Sequence, residues 1–351
     1  MIYMRVTLSD VAREAGVSIV TVSRVINSSY PEKVSNETRL KVLETIERLN
    51  YRPNVMARGL QKGRTYLIGV AIVRVADSFF GDILQGIHDG AAAADLGVLL
   101  GTRRLDIGKD ESALRELQSR GVDGIIYYGT TPNPKTAMKL VAEGLPLVQI
   151  CNLHDHLNAP YVMVDHFRGA YMATEYLLQL GHRRIAHIGV HGGADPQGLQ
   201  RLAGYQAALQ AYGIEIDERL IVAADWNWES GYLAMQELYR RCKDVTAIFA
   251  SSDFAAVGAM RACQVAGIEI PHDIALVGFD DLPFSAWLDV PLTTVAQPKE
   301  AMGQAAVRSL VGLIEEGSAP NVMFEPQLVI RASCGGNGKT RESRLQDQVS
   351  G

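Results

Sequence analysis

The sequence predicts a small all-α helix-turn-helix domain ahead of an α/β core of two lobes with parallel sheets. Three observations carry that expectation. Residues 7–49 hold three short segments with apolar residues at helical spacing, and a glycine separates the first two. From Tyr66 onward, short apolar runs alternate with amphipathic stretches, the pattern of parallel strands joined by helices. The chain has 351 residues, more than one ordinary core holds, so the long second part divides into two lobes.

The head is read in order. Thr7-Leu8-Ser9-Asp10 offers a hydroxyl N-cap with an acid three residues later. Leu8, Val11, Ala12 and Ala15 then share one helical face, and Gly16 supplies the residue that a tight interhelical turn needs. Ser18 opens a second helix whose buried stripe is Val22, Val25 and Ile26. A third helix follows Ser35 with Leu40, Leu43, Ile46 and Leu49 as its expected inner face, and it stops near Asn50-Tyr51 ahead of Pro53. Helix, short glycine turn, helix is the layout that places its second helix in a DNA major groove. Its outward residues would be Ser18, Ile19, Val20, Thr21, Ser23 and Arg24. Thr21 and Ser23 suit phosphates, Arg24 suits guanine, and Ile19 and Val20 suit a thymine methyl.

In the core, Leu67–Val73, Val98–Leu100, Gly124–Tyr128, Leu147–Ile150, Arg184–Ile188, Ala247–Ala250 and Ile274–Phe279 read as buried parallel strands. Phe80–Ala94, Gly169–Leu180 and Leu202–Tyr212 read as the helices between them.

Charge divides along the same line. Residues 1–62 carry 10 Lys and Arg against 6 Asp and Glu, while the remainder carries 24 against 33, within a net charge of −5. A basic head on an acidic body is the distribution of a chain whose head alone faces phosphate. Four scattered cysteines without a CxxC pair argue against a metal site or a disulfide framework. No apolar run reaches membrane-spanning length and no secretory signal is evident, so a cytoplasmic location is expected.

Several segments together resemble the lactose-repressor (LacI/GalR) family. They are Val6-Thr7-Leu8-Ser9-Asp10-Val11-Ala12, Ala15-Gly16-Val17-Ser18, Thr21-Val22-Ser23-Arg24-Val25-Ile26-Asn27 and Leu49-Asn50-Tyr51-Arg52-Pro53-Asn54. Further on, Leu180-Gly181-His182-Arg183-Arg184-Ile185, Arg201-Leu202-Ala203-Gly204-Tyr205, Val277-Gly278-Phe279-Asp280-Asp281 and Pro291-Leu292-Thr293-Thr294-Val295 continue the likeness over roughly residues 5–333. The resemblance implies a transcription repressor with a periplasmic-binding-protein-like core, a homodimer on palindromic operator DNA, no cofactor and no enzymatic activity. It implies a DNA-binding domain at 1–53, a hinge helix at 54–63, an effector-binding and dimerisation core at 64–334 and a disordered tail at 335–351. Thr7, Asn27 and Tyr51 join the reading-helix residues as DNA-contact candidates, with Asn54, Ala57 and Leu60 in the hinge. The resemblance has Leu60 pushed between base pairs at the operator centre. From the residues alone, Pro53 to Leu60 is too short for a stable helix and Gly59 weakens it, so it would fold only with outside support.

Ligands of open α/β sheets sit beyond the strand C-termini. Asp77, Phe79, Phe80, Asp195, Arg201, Trp226, Ser252, Asp253 and Asp280 fall there, with Trp228 beside them and His166 read as structural. The resemblance makes Arg201 and Asp280 the ligand-gripping pair, and Phe79-Phe80 and Trp226 the stacking rings. Asp and Arg with aromatic faces suit a small-molecule effector that is a sugar, and they also suit a purine-type corepressor. A free sugar-binding protein is disfavoured by residues 5–62. A two-lobed enzyme lacks a catalytic set: Cys334–Thr340 has Ser333 where a phosphate loop needs glycine, and His191-Gly192-Gly193 has no GxSxG partner.

Overall fold

The computed structural model describes residues 6–26, 33–51, 63–72, 78–102, 110–129, 134–190 and 195–335. Contacts divide the chain into one unit up to Tyr66 and a second from Leu67.

Among its described residues the first unit holds three helices: α1 (Leu8–Ala15), α2 (Ile19–Ile26) and α3 (Asn36–Arg48). The Thr7 hydroxyl accepts from the Asp10 amide while the Asp10 carboxylate accepts from the Thr7 amide, a complete capping box. Gly16 ends α1 at φ 65° and returns its N–H to Ala12 and Arg13, a conformation that a Cβ would strain. Ser18 accepts from the Thr21 amide at the start of α2. Val11, Ala12, Ala15, Val22, Val25 and Val42 make the core of this unit. Half of the expected face of α3 holds, since Ile46 and Leu49 pack against this core, but Leu40 is 61% and Leu43 43% exposed, while Val42 and Thr45 are buried. The leucines outweighed a valine and a threonine in the sequence pattern. The threonine is tolerated inside because its hydroxyl donates to the Lys41 carbonyl one turn back.

The second unit begins with β1 (Leu67–Ile72), α4 (Ser78–Ala93), β2 (Gly97–Thr102), α5 (Asp110–Ser119), β3 (Gly124–Tyr127), α6 (Lys135–Ala142), β4 (Leu147–Ile150) and β5 (Tyr161–Val164). It continues with α7 (His166–Gln179), β6 (Ile185–Gly189), α8 (Pro196–Ala211), β7 (Ile221–Ala223), α9 (Trp228–Arg241), β8 (Ala247–Ala250), α10 (Asp253–Ala266), β9 (Ala275–Asp280) and β10 (Thr293–Ala296). It closes with α11 (Lys299–Glu316), β11 (Val322–Phe324) and β12 (Gln327–Val329). One sheet runs β11-β5-β4-β3-β1-β2, the other β12-β10-β9-β8-β6-β7. Every pairing is parallel except β12 with β10. The chain therefore passes between lobes three times, after β5, after β10 and after β11.

Each sheet is covered on both faces, so its strands read as continuous apolar runs rather than alternating ones. In the first lobe α4 and α11 pack on one face; Ile83 and Ile87 are buried there, each contributing roughly 1.5–3 kcal/mol. These helices lie backbone to backbone: a Cβ at Gly86 would stand 2.0 Å from the Glu300 carbonyl oxygen, and one at Gly303 2.3 Å from that of Ile83. In both sheets the chain leaves its first strand for an edge strand and then returns to the other side. The resulting switch points, between β1 and β3 and between β6 and β8, are where such sheets open a crevice.

Candidate functional site

Two surfaces follow. On the head, Ser18 (at the start of α2), Ile19 and Val20 are exposed, and Thr21, Ser23 and Arg24 are half-buried. Ile19 and Val20 are 48% and 57% exposed, an apolar pair on water at the N-terminal end of this helix. The Thr7 hydroxyl is committed to Asp10 and Tyr51 packs against the head core. Asn27, Asn54, Ala57 and Leu60 lie outside the described residues, as does all of the expected hinge apart from residue 63.

The second surface lies between the lobes, at the C-terminal ends of the strands. Arg201 sits in the second turn of α8 and is 1% exposed. Its Nη2 donates to Asp280 Oδ1 at 3.2 Å and to His166 Nδ1 at 3.3 Å, and its Nη1 donates to the Ser251 carbonyl. The guanidinium carbon lies 3.7 Å from the Phe279 ring centroid and 5.0 Å from that of Trp226. A buried guanidinium with a carboxylate, a carbonyl and two aromatic faces is built in place, not a surface ion-pair partner. Burial pushes its pKa down, and Asp280 and Asp195 oppose that shift.

Asp280 ends β9 with φ at 115° and Asp281 follows at 47°, two consecutive left-handed, non-glycine residues. Gln297 Nε2 donates to Asp280 Oδ1 at 2.7 Å. Burial raises the Asp280 pKa, while the neighbouring Arg201 and Lys299 charges pull it back. Asp280 does not cap the next turn, Pro283–Ala286, which starts at Leu282 without a side-chain cap. The two carboxylates diverge, Asp280 to Arg201 and Asp281 to Arg331 at 2.6 Å, and no cluster of metal-ligating side chains occurs among the described residues.

Asp195 caps α8 by accepting from the Gln197 and Gly198 amides, and it also takes the Trp226 indole N–H at 2.6 Å. That bond holds the half-buried Trp226 ring over Arg201. Phe80 is 3% exposed and belongs to the first-lobe core, edge-on to Tyr128 and to the half-buried Phe79. Ser252 caps α10 through the Ala255 amide. The Asp253 carboxylate accepts from the Leu282 amide and from the Ser285 and Thr294 hydroxyls, and burial pushes its pKa up to about 7. Asp253 thereby braces the loop after Asp280. Trp228 packs instead on Phe254 and Phe284. Asp77 lies outside the described residues.

Sequence reasoning passed over three participants. His166, read as structural, touches Arg201. Because guanidinium only donates, His166 Nδ1 carries the lone pair, and Nε2 faces the Cys151 carbonyl at 3.5 Å. Burial and then the Arg201 charge hold the imidazole neutral, well below its usual pKa. Gln297 and Gln197 are the others; Gln197 reaches from α8 to the Cys151 carbonyl beyond β4 at 2.9 Å and so spans the lobes. The available signal was position alone: His166 and Gln297 stand within two residues of the strand ends at Val164 and Ala296, and Gln197 stands two residues after Asp195 in the first turn of α8.

Comparison with known proteins agrees with this geometry. Residues 7–54 match the family model described as bacterial regulatory proteins, lacI family, and residues 174–334 match that of the periplasmic binding protein-like domain. The transcriptional regulator RegA of Clostridium saccharobutylicum is 35% identical over 94% of this chain and 99% of its own length. Catabolite control protein A of Priestia megaterium is 34% identical over 88% of this chain and 92% of its own. The lac repressor dimer bound to operator and the anti-inducer ONPF superposes with a TM-score of 0.83 at 30% identity, covering 94% of this chain and 99% of that one. A CelR–cellobiose complex gives 0.72 at 33% identity, over 94% of this chain and all of that one. With a reading head and an effector-type cleft in one polypeptide, the chain belongs to the lacI family of bacterial regulatory proteins.

Proposed function

We propose that the chain is a cytoplasmic repressor that binds palindromic operator DNA as a homodimer and is switched by a neutral sugar. Ser18 to Arg24 would lie in the major groove, where Ile19 and Val20 face thymine methyls and Arg24 a guanine. Thr7, Asn27 and Tyr51 would hold phosphates, and Asn54, Ala57 and Leu60 would occupy the central minor groove. In the cleft, Arg201 and Asp280 would grip hydroxyls, with Trp226 as the stacking face, Asp195 as its support, and Asp77 and Phe79 on the opposite lobe.

The observation that carries the sugar reading is how the buried cations are used. Arg201 donates to Asp280, His166 and the Ser251 carbonyl, and Lys299 donates to the Asp280 and Asp281 carbonyls. Committed in this way, they suit a neutral polyol better than a phosphate. The complex of CelR with cellobiose and a ribose-bound lacI-family regulator from Enterococcus faecium support this choice. The test is a fluorescence-anisotropy titration of a palindromic site from its own promoter, with and without cellobiose, ribose or hypoxanthine. A sugar-dependent change in affinity is expected. Absence of site-specific binding sinks the repressor reading, and a response to hypoxanthine alone replaces the sugar with a purine.

A further inference from the structure

Lys299 opens α11, which belongs to the first lobe, yet its ammonium is spent on the second. Nζ donates to the Asp280 carbonyl at 2.7 Å and to the Asp281 carbonyl at 3.1 Å, and stands 3.7 Å from Asp82 on α4. The side chain is 5% exposed. A cation in the first helical turn opposes the helix dipole and a buried ammonium sheds its water, so within its own lobe only Asp82, half-exposed at 3.7 Å, favours lysine here. What it reaches explains it. The two carbonyls belong to the left-handed Asp280–Asp281 elbow, the end of the strand that carries the candidate ligand carboxylate.

The second interlobe crossing meets this elbow directly, and residues at or beyond the other two reach it through Arg201 and Arg331. The first brings His166 against Arg201, the partner of Asp280. The second is Gln297-Pro298, whose glutamine takes the Asp280 side chain just before Lys299 takes its carbonyl. Beyond the third, Arg331 holds the Asp281 carboxylate and the Leu292 carbonyl. Gln297 holds a side chain and Arg331 stays within the second lobe, while His166 and Gln197 reach the first-lobe Cys151 carbonyl from the second. Lys299 grips backbone of the second lobe from the first turn of a first-lobe helix.

We propose that Lys299 is the interlobe pin: a positioning residue that fixes the angle between the lobes by tying α11 to the Asp280–Asp281 elbow. Any ligand that shifts Asp280 moves the carbonyls on which this ammonium sits, so the same contact passes the shift to α11 and α4. This goes beyond the identity of the effector, and its test needs none.

The experiment is a double electron–electron resonance measurement on the full chain, with spin labels on cysteines replacing exposed Lys139 of the first lobe and Gln210 of the second. Labelled protein is diluted into unlabelled protein so that each assembly carries one pair; the four native cysteines are buried. The variants are Lys299→Met, Lys299→Gln and Lys299→Arg. The interspin distribution should at least double in width in K299M, widen less in K299Q and return to wild-type width in K299R. Wild-type widths in a K299M protein with native circular dichroism overturn the proposal. If K299M does not fold, K299Q with wild-type width overturns it equally. Broadening in K299R as large as in K299Q assigns the effect to packing and also refutes the pin.

Discussion

Replacing Arg201 with methionine tests the cleft most directly. The stem volume is kept and the charge is removed, so Asp280 keeps Gln297 and the carbonyl-bound Lys299 but loses its guanidinium partner. Removing one member of a buried ion pair costs about 3–5 kcal/mol, because the remaining charge stays desolvated. The guanidinium contact with Phe279 at 3.7 Å adds about 2 kcal/mol at most, partly recovered by the methionine thioether. The expected loss is therefore about 3–6 kcal/mol. It has a pH signature. Without Arg201, burial raises the Asp280 pKa further, and a carboxyl raised in the folded state gives stability that is present at low pH and lost as pH rises. Arg201→Met should accordingly be less damaging at pH 5 than at pH 8. Trp226, Trp228 and Trp287 all belong to the second lobe, so tryptophan fluorescence during urea unfolding reports that lobe even where the chain as a whole is not two-state. The double variant R201M/D280N should cost less than the sum of the single variants by at least 1 kcal/mol. Additive losses, or a single loss below 1 kcal/mol, would refute the buried-pair account.

Three further outcomes are expected. Val42→Ala should destabilise the isolated head by about 1–3 kcal/mol while Leu43→Ala stays within about 0.5 kcal/mol, as thermal unfolding by circular dichroism would show; the reverse order would restore the leucine face. Asp253, raised to about 7, stabilises the fold at acid pH and loses that contribution as pH rises through 7, so the melting temperature of Asp253→Asn relative to wild type should improve from pH 5 to pH 8. Arg24→Met should cost about 1–3 kcal/mol at a single operator position and relax base preference there, measured by anisotropy on a panel of single-base variants.

The long elements were legible because one kind of evidence repeats along them. Ala247–Ala250 is an uninterrupted apolar run, Leu147–Ile150 is broken only by Gln149, and both strands match their expected limits. The expectation of α4 began at Phe80, two residues late, although Ser78 is a residue type that opens helices. The strands that escaped, at 221–223, 322–324 and 327–329, are three residues long and partly exposed, too short for any period to show. Tyr161–Val164 and Thr293–Ala296 also escaped, although buried, since tyrosine, threonine and methionine dilute their apolar character. In the cleft, Arg201, Asp280 and Trp226 were found because charge and aromatics stand out at strand ends. His166 and Gln297 were not, since their partners lie 35 and 17 residues away and only the folded crossings bring them together.

The three crossings also bear on synthesis. The first sheet pairs β5 with β11, so Val162 waits for Val322 before its edge is covered, and α4 waits for α11 before Ile83 and Ile87 are buried. The second lobe, nested inside the first, has all its parallel strands available once β10 is made. A chain emerging from the ribosome thus makes the parallel strands of its inner lobe first, carries an unfinished outer one for another thirty residues or so, and closes the inner sheet last with β12. During that interval β5 is an open edge, the moment at which pairing with a neighbouring nascent chain competes with β11.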